Sequence, residues 1–139
     1  MKGRIHEPES ILRIDTATGI AVRQVTTHPS IHHHPFYYLP AYDDAMEWLV
    51  FVSHRTGRPQ IFLEERASGR LVQLTDRDDV NEWSVHPAWD GRHVYFTAGC
   101  GAWRAATGGG FREECLADFG SVPMIPPGMV GDAMGTTSL

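Results

Sequence analysis

The stretch that decides the fold is PAYDDAMEWLVFVSHRTGRPQIFLEERASGRLVQLT, residues 40–75. Short elements of this stretch recur elsewhere in the chain, in the same order and at similar separations. The pairs are PAYD (40–43) with PAWD (87–90), 47 residues apart, LVFVS (49–53) with VYFTA (94–98), 45 apart, and RQVT (23–26) with VQLT (72–75), 49 apart. A period of this length, repeated in register, indicates a chain built from similar structural units.

Each unit has the pattern of four short strands separated by turns. In the first full unit we predict strands at 36–41, 47–52, 60–65 and 70–75. Residues 60–65 alternate in side-chain direction, and Gly57 marks the turn before them. No stretch has the apolar spacing of an amphipathic helix. Four strands in about 45 residues are typical of a propeller blade, so we predict an all-β fold, a β-propeller; a β-sandwich is the alternative.

The repeats define about two to two and a half four-stranded blades. We assign a hairpin at 10–26, a blade at 36–75, a second blade at 83–119 and the start of a further blade at 128–139. A closed propeller has about 4–8 blades, and a partial one leaves sheet edges and apolar faces open. We therefore expect self-association, or further C-terminal blades, to cover these edges.

Composition limits the classes of function. Acidic residues outnumber basic ones by 17 to 12, the formal charge is −5, and Lys2 is the only lysine. A generic nucleic-acid binder has a basic excess, so we expect no nucleic-acid partner. The sequence has no apolar run that could span a membrane, and its two cysteines are too few for a disulfide framework. We expect a cytoplasmic protein without a membrane partner.

A run of three histidines precedes the predicted innermost strand at 36–41. In a propeller, the loop that enters this strand lies at the mouth of the central channel. Alternate side chains of an extended segment share a face, so His32 and His34 are predicted to point one way and His33 the other. We predict that His32 and His34 are ligands of a divalent metal.

Two ligands are too few for a tight metal site, and His28 and His86 are candidates for the others. The same mouth could instead recognise an acidic ligand directly, through imidazole and guanidinium groups. The residues that we assign to substrate binding are His33, Arg55, Arg58, Trp83 and His86. Solvated loop histidines and ordinary turn arginines are the inert alternative.

The segment 24–75, which includes HHHPFYYLPAYDDAMEWLVFVSHRTGRPQIFL, resembles the N-terminal blades of oligogalacturonate lyases and of TolB-like propellers. DVNEWSVHPAWDGRHVYFT at 79–97 and GMVGDAMGTTSL at 128–139 continue the likeness. The resemblance implies a seven-bladed parent that cleaves short pectin-derived uronides by β-elimination. It also implies a divalent metal such as Mn²⁺ at the channel mouth, with His32 and His34 matching the family's His-x-His-Pro ligand segment, and an acidic oligosaccharide as partner.

The resemblance assigns no catalytic residue, because those of the family lie in blades beyond these repeats. β-Elimination needs a base for the proton next to the carboxylate and positive charge to neutralise that carboxylate. Histidine and arginine supply both types of group, but no spacing in the sequence fixes their geometry. A TolB-like propeller that binds without catalysis is the competing class, and a truncated, inactive product is a third.

Overall fold

The computed structural model describes residues 1–120, which form eleven β-strands and no helix. The strands are β1 Ile5–His6, β2 Ile11–Ile14, β3 Ala21–Gln24, β4 His32–His33, β5 Trp48–Ser53, β6 Gln60–Glu65, β7 Leu71–Gln73, β8 His86–Pro87, β9 His93–Ala98, β10 Gly101–Ala106 and β11 Glu113–Asp118. Within this part of the chain, no helix is long and apolar enough to cross a membrane. The predicted start of a further blade at 128–139 lies outside the described residues.

The strands form three antiparallel sheets. The first has the order β1-β7-β6-β5-β4, the second has the order β11-β10-β9-β8, and the third is the hairpin β2-β3. Within each large sheet, strands that follow one another in sequence lie side by side, apart from β1, which pairs with β7 at the outer edge. The described fold is therefore all-β, as the repeats predict.

The two large sheets pack against each other through one apolar core. Val50 and Val52 of β5 belong to a buried cluster that also contains Val94 and Phe96 of β9. Both valines of β5 and Val94 are completely buried. Since residues two apart on a strand share a face, one whole face of β5 packs against the neighbouring sheet.

The opposite face of the first sheet receives the N-terminal segment. Phe51, Phe62 and Leu71 form a second buried cluster there, and Val25 packs against it. Arg23 of β3 donates two hydrogen bonds, of 2.6 and 2.7 Å, to the carboxylate of Glu64, whose side chain is fully buried. The hairpin is thus joined to the first sheet by apolar contact and by a bidentate ion pair.

The innermost strand differs from the prediction. Residues 36–41, predicted as a strand, form a turn. The place of the inner strand, beside β5, is taken by two separate short pieces of chain. β4 pairs with the end of β5, and Tyr42 makes an isolated bridge with Leu49 near its start. Pro35 and Pro40 lie on either side of the turn; a proline cannot donate to a β-ladder and restricts the residue before it. The chain consequently loops out between the two halves of the inner strand.

Candidate functional site

Three polar side chains converge where the first large sheet meets the second. His33 lies on β4, His54 follows β5 directly, and Glu82 precedes β8. Nε2 of His33 is 2.9 Å from Oε1 of Glu82, and Nε2 of His54 is 3.3 Å from the same oxygen. The donor atoms all lie within 4.8 Å of one another. Among residues 1–120, this His33–His54–Glu82 cluster is the one group of three or more side chains with the proximity of metal ligands.

The pairing of β4 with β5 explains why the two histidines share a face. His33 is paired directly with Val52. The His54 amide donates to the carbonyl of Ile31 at 2.9 Å, so the ladder continues one residue beyond β5. Paired residues, and residues two apart, lie on the same face of a sheet. Both imidazoles therefore lie on the Val52 face, which packs against the second sheet.

The surroundings of the cluster hold His33 in place. The ring of Trp83 stacks on its imidazole, with centroids 4.8 Å apart and an angle of 23° between the planes. Nδ1 of His33 lies 2.9 Å from the carbonyl oxygen of His34. The His33, His54 and Glu82 side chains are 19%, 26% and 24% exposed, so the cluster is sheltered but open to a small ligand.

The donor chemistry of the cluster fits a divalent metal ion. Two imidazole nitrogens and one carboxylate oxygen are a common protein donor set for Zn²⁺ in sites that keep a coordination position open. Mixed nitrogen and oxygen ligands also suit Mn²⁺, whereas Ca²⁺ prefers oxygen alone.

His32 and His34, the predicted metal pair, lie outside this cluster. His32 points to the other face of the sheet, as the predicted alternation requires, and its ring meets Phe51 edge-on at 6.1 Å. Its Nε2 is 3.0 Å from the carbonyl oxygen of His28, and its Nδ1 is buried without a hydrogen-bond partner among the described residues. Nδ1 of His34 contacts the carbonyl oxygen of Pro35. The structure thus assembles the cluster around the middle histidine of the run.

Arg55, predicted to bind substrate, is instead hydrogen-bonded to residues inside the protein. Its guanidinium donates to both carboxylate oxygens of Glu9, at 2.7 and 3.1 Å, and to the hydroxyl of Thr26 at 3.0 Å. The Arg55 side chain is only 5% exposed. Burial by itself would raise the pKa of Glu9, but the hydrogen bonds from Arg55 and Thr26 lower it to about 2. These contacts give Arg55 a structural role, tying the N-terminal segment to the first sheet.

The other predicted substrate residues are dispersed. Trp83 joins the cluster through its stacking on His33. His86 lies on β8, paired with Tyr95 of β9. Arg58 is exposed in the turn after β5 and lines an open groove together with Arg77, Asp76 and Asp78. The two arginines and the two aspartates balance in charge, so this groove has no positive excess that would attract an acidic ligand.

Sequence reasoning missed two members of the cluster, His54 and Glu82. Glu82 follows His33 by 49 residues, which is the separation of the RQVT and VQLT repeats. Both residues therefore lie near the entry of the inner strand in successive units, and the repeat register could have found Glu82. His54 could be recognised only from the pairing of β4 with β5, which the sequence does not reveal.

Repeated antiparallel sheets that pack on one another give the described residues an all-β fold of β-propeller type. No protein-family model matches it, and no curated protein matches it in sequence.

Solved structures with the same fold include an oligogalacturonate lyase from Vibrio parahaemolyticus, with a TM-score of 0.76 and 18% sequence identity over 85% of this chain and 31% of the lyase. They also include an oligogalacturonate lyase in complex with manganese, with a TM-score of 0.76 and 19% identity over 88% of this chain and 32% of that protein. The chain spans about a third of the length of these lyases. The likeness supports the resemblance noted in the sequence, and at these identities it establishes the fold.

Proposed function

We propose that the chain is the N-terminal part of an oligogalacturonate lyase-like propeller, seven-bladed and cytoplasmic, that binds short acidic oligosaccharides for cleavage by β-elimination. The observation that carries this proposal is the His33–His54–Glu82 cluster beside Trp83, in a chain with the fold of oligogalacturonate lyases. One of these lyases is in complex with manganese, which supports a divalent cation as part of the mechanism.

Exposed aromatic rings offer surfaces for sugar binding, and one of them, Trp83, contacts the cluster. Trp83 is 37% exposed while its ring is stacked on His33. Tyr37 and Tyr38, in the turn that follows the histidine run, are 79% and 70% exposed. Aromatic faces pack well against the apolar faces of sugar rings, and partly exposed rings are the ones that a ligand can reach.

The cluster supplies the charge chemistry that an acidic sugar requires. Elimination begins with loss of the proton next to the uronate carboxylate, and this step is easier when the negative charge is neutralised. A divalent cation held by His33, His54 and Glu82 would supply that neutralisation. Within the described residues we assign no base, and we propose that the base comes from the remaining blades. We therefore expect residues 1–139 to bind uronides but to cleave them slowly or not at all.

Exposed apolar side chains support the need for further blades or a second copy. Leu12, Ile14 and Ile20 of the N-terminal hairpin are 66%, 59% and 61% exposed. A hairpin with this much exposed apolar surface gains stability from a covering partner. Light scattering on the 139-residue chain tests this point, because a strictly monomeric species over a wide concentration range would contradict self-association.

Binding is tested by titrating the 139-residue chain with digalacturonate in the presence of Mn²⁺, with maltose as the neutral control sugar. We expect saturable calorimetric heats for digalacturonate alone. Trp83→Ala should weaken binding by about fivefold, the loss of one aromatic contact. Trp89→Ala is the matched control, since Trp89 is 66% exposed and lies outside the cluster. Equal effects of the two substitutions, or no saturable binding, would count against this site.

Catalysis is tested on the seven-bladed protein that we propose, expressed from its gene. It is incubated with digalacturonate and Mn²⁺, and the absorbance of the unsaturated sugar is followed. A rise that a metal chelator abolishes supports the lyase proposal. If the folded protein binds digalacturonate without forming the unsaturated sugar, it is instead a TolB-like binding module, the second candidate. That candidate is favoured by the share of the lyases that this chain covers, about a third.

A further inference from the structure

We propose that His33, His54 and Glu82 form a binding site for a divalent transition-metal ion that links the first large sheet to the second. The three side chains come from separate parts of the chain, yet both imidazole Nε2 atoms approach one carboxylate oxygen of Glu82, at 2.9 and 3.3 Å. The proposal rests on this geometry alone and holds whether or not the protein is a lyase.

The hydrogen bonding of His33 turns its Nε2 toward the other donors of the cluster. A carbonyl oxygen can only accept, so Nδ1 of His33, 2.9 Å from the carbonyl oxygen of His34, must carry a proton. Nε2 is then the ring atom that faces the Glu82 carboxylate, at 2.9 Å, which is the position from which a histidine binds a metal ion. The Nδ1–H contact to a carbonyl is also the usual support of a metal-binding histidine.

The position of the donors explains why the ion would act as a link. His33 and His54 lie on the sheet formed by β4 and β5, whereas Glu82 precedes β8 of the other sheet. A metal ion bound to all three ties the sheets together at the edge of their shared apolar core. Because the ion binds the folded chain and not the unfolded one, it should raise the thermal midpoint.

The donor set predicts the order of metal affinities. With two nitrogens and one oxygen, the site should prefer Zn²⁺ and Co²⁺ to Mn²⁺, following the general order for divalent metals. Mg²⁺ and Ca²⁺, which favour oxygen ligands, should bind much more weakly. Three protein ligands leave room for water or for a ligand oxygen.

The experiment begins with the full 139-residue chain, stripped of metal by a chelator that is then removed. Titration with Co²⁺ should give visible ligand-field absorption that saturates at one ion per chain, and Zn²⁺ should displace the Co²⁺. In calorimetry, His54→Gln and Glu82→Gln should each weaken Zn²⁺ binding by tenfold or more, because loss of a contact that only supports a ligand already costs about 10- to 100-fold. Circular dichroism in chelator shows whether each variant is folded.

Two matched histidine variants decide between sites. His93→Gln removes a histidine on β9, outside the cluster, and should leave the affinity for Zn²⁺ unchanged. His32→Gln tests the other face of the histidine run and should also leave it unchanged. Absence of saturable Co²⁺ and Zn²⁺ binding, full affinity in folded His54→Gln and Glu82→Gln, or loss of affinity in His32→Gln alone would each overturn the proposal. Metal binding without digalacturonate cleavage would leave it intact and count only against the lyase function.

Discussion

Substitution of Arg55 by alanine should destabilise the fold, because the Arg55 side chain binds inside the protein. The change removes two hydrogen bonds to the carboxylate of Glu9 and one to the hydroxyl of Thr26. It also removes the guanidinium from its place 5.0 Å from the centre of the Phe62 ring. The Glu9 side chain is only 20% exposed, and its carboxylate would keep the hydrogen bonds from Thr26 and Thr27 but lose its cationic partner.

The magnitude follows from the strength of this ion pair. The contacts of Glu9 lower its pKa from 4.5 to about 2, which is equivalent to about 3 kcal/mol of preference for the charged form. Loss of one partner from a buried ion pair costs about 3–5 kcal/mol. Since water reaches part of the Glu9 carboxylate, we expect Arg55→Ala to lower the free energy of unfolding by about 2–4 kcal/mol.

The assay is urea unfolding at neutral pH, followed by tryptophan fluorescence. Arg58→Ala is the matched control, because Arg58 lies in the same turn but is exposed; its effect should be below about 0.5 kcal/mol. A loss below about 1 kcal/mol in Arg55→Ala, together with loss of digalacturonate binding, would refute the structural role and restore Arg55 as a substrate residue.

The same ion pair predicts sensitivity to acid. The pKa of Glu9 in the folded protein, about 2, lies below its ordinary value of 4.5. The stabilisation is therefore complete above about pH 5 and is lost progressively as the pH falls toward 2. Glu9→Gln should be less stable than the wild type at neutral pH, and the difference should shrink in this acidic range. A difference that does not depend on pH would contradict the assignment.

Two other contacts give independent tests by the same unfolding measurement. An added Cβ at Gly91 would lie 2.6 Å from Oδ2 of Asp43, whereas one at Gly19, with the same φ of +74°, would meet nothing within 4 Å. Gly91→Ala should therefore lower the free energy of unfolding by about 1–3 kcal/mol more than Gly19→Ala does. Equal losses would show that the turn at Gly91 relaxes freely. Arg23→Ala leaves the fully buried carboxylate of Glu64 without its bidentate partner and should cost about 3–5 kcal/mol; a negligible loss would mean that the hairpin is not held by this pair.

The strands with strong local patterns could be predicted from the sequence. The strand predicted at 60–65 is β6, Gln60–Glu65, and the strand predicted at 47–52 is one residue from β5. Both contain apolar β-formers between clear turn residues, and their partners are close in sequence. Repetition at a fixed period also identified the type of fold, because it does not depend on any single strand boundary.

The turn at residues 36–41 was wrongly predicted as the inner strand, because its aromatic residues are compatible with either structure. Phe36, Tyr37 and Tyr38 have high strand propensity, but their rings pack on one another in a turn, with centroids 4.7 to 5.2 Å apart. Pro35 and Pro40 exclude this segment from a regular ladder. Here the local backbone constraint outweighs the strand propensity of the side chains.

The sequence drew attention to the histidine run, but the His33–His54–Glu82 cluster could not be predicted from it. Strand geometry places His32 and His33 on opposite faces of β4. Which of these two faces meets the second sheet depends on contacts between residues that are far apart in sequence. Glu9 precedes Arg55 by 46 residues, so no local pattern indicates that Arg55 is already paired. Side chains that meet across sheets are fixed by tertiary packing, which the sequence specifies only through the whole fold.

The most direct test of the proposed site is a crystal structure of the 139-residue chain grown with Zn²⁺, with diffraction recorded on both sides of the zinc absorption edge. We predict one strong anomalous peak within bonding distance of Nε2 of His33, Nε2 of His54 and a carboxylate oxygen of Glu82, at about 2.0–2.2 Å from each. A well-ordered cluster without an anomalous peak, or a peak bound instead by His32 and His34, would contradict the assignment.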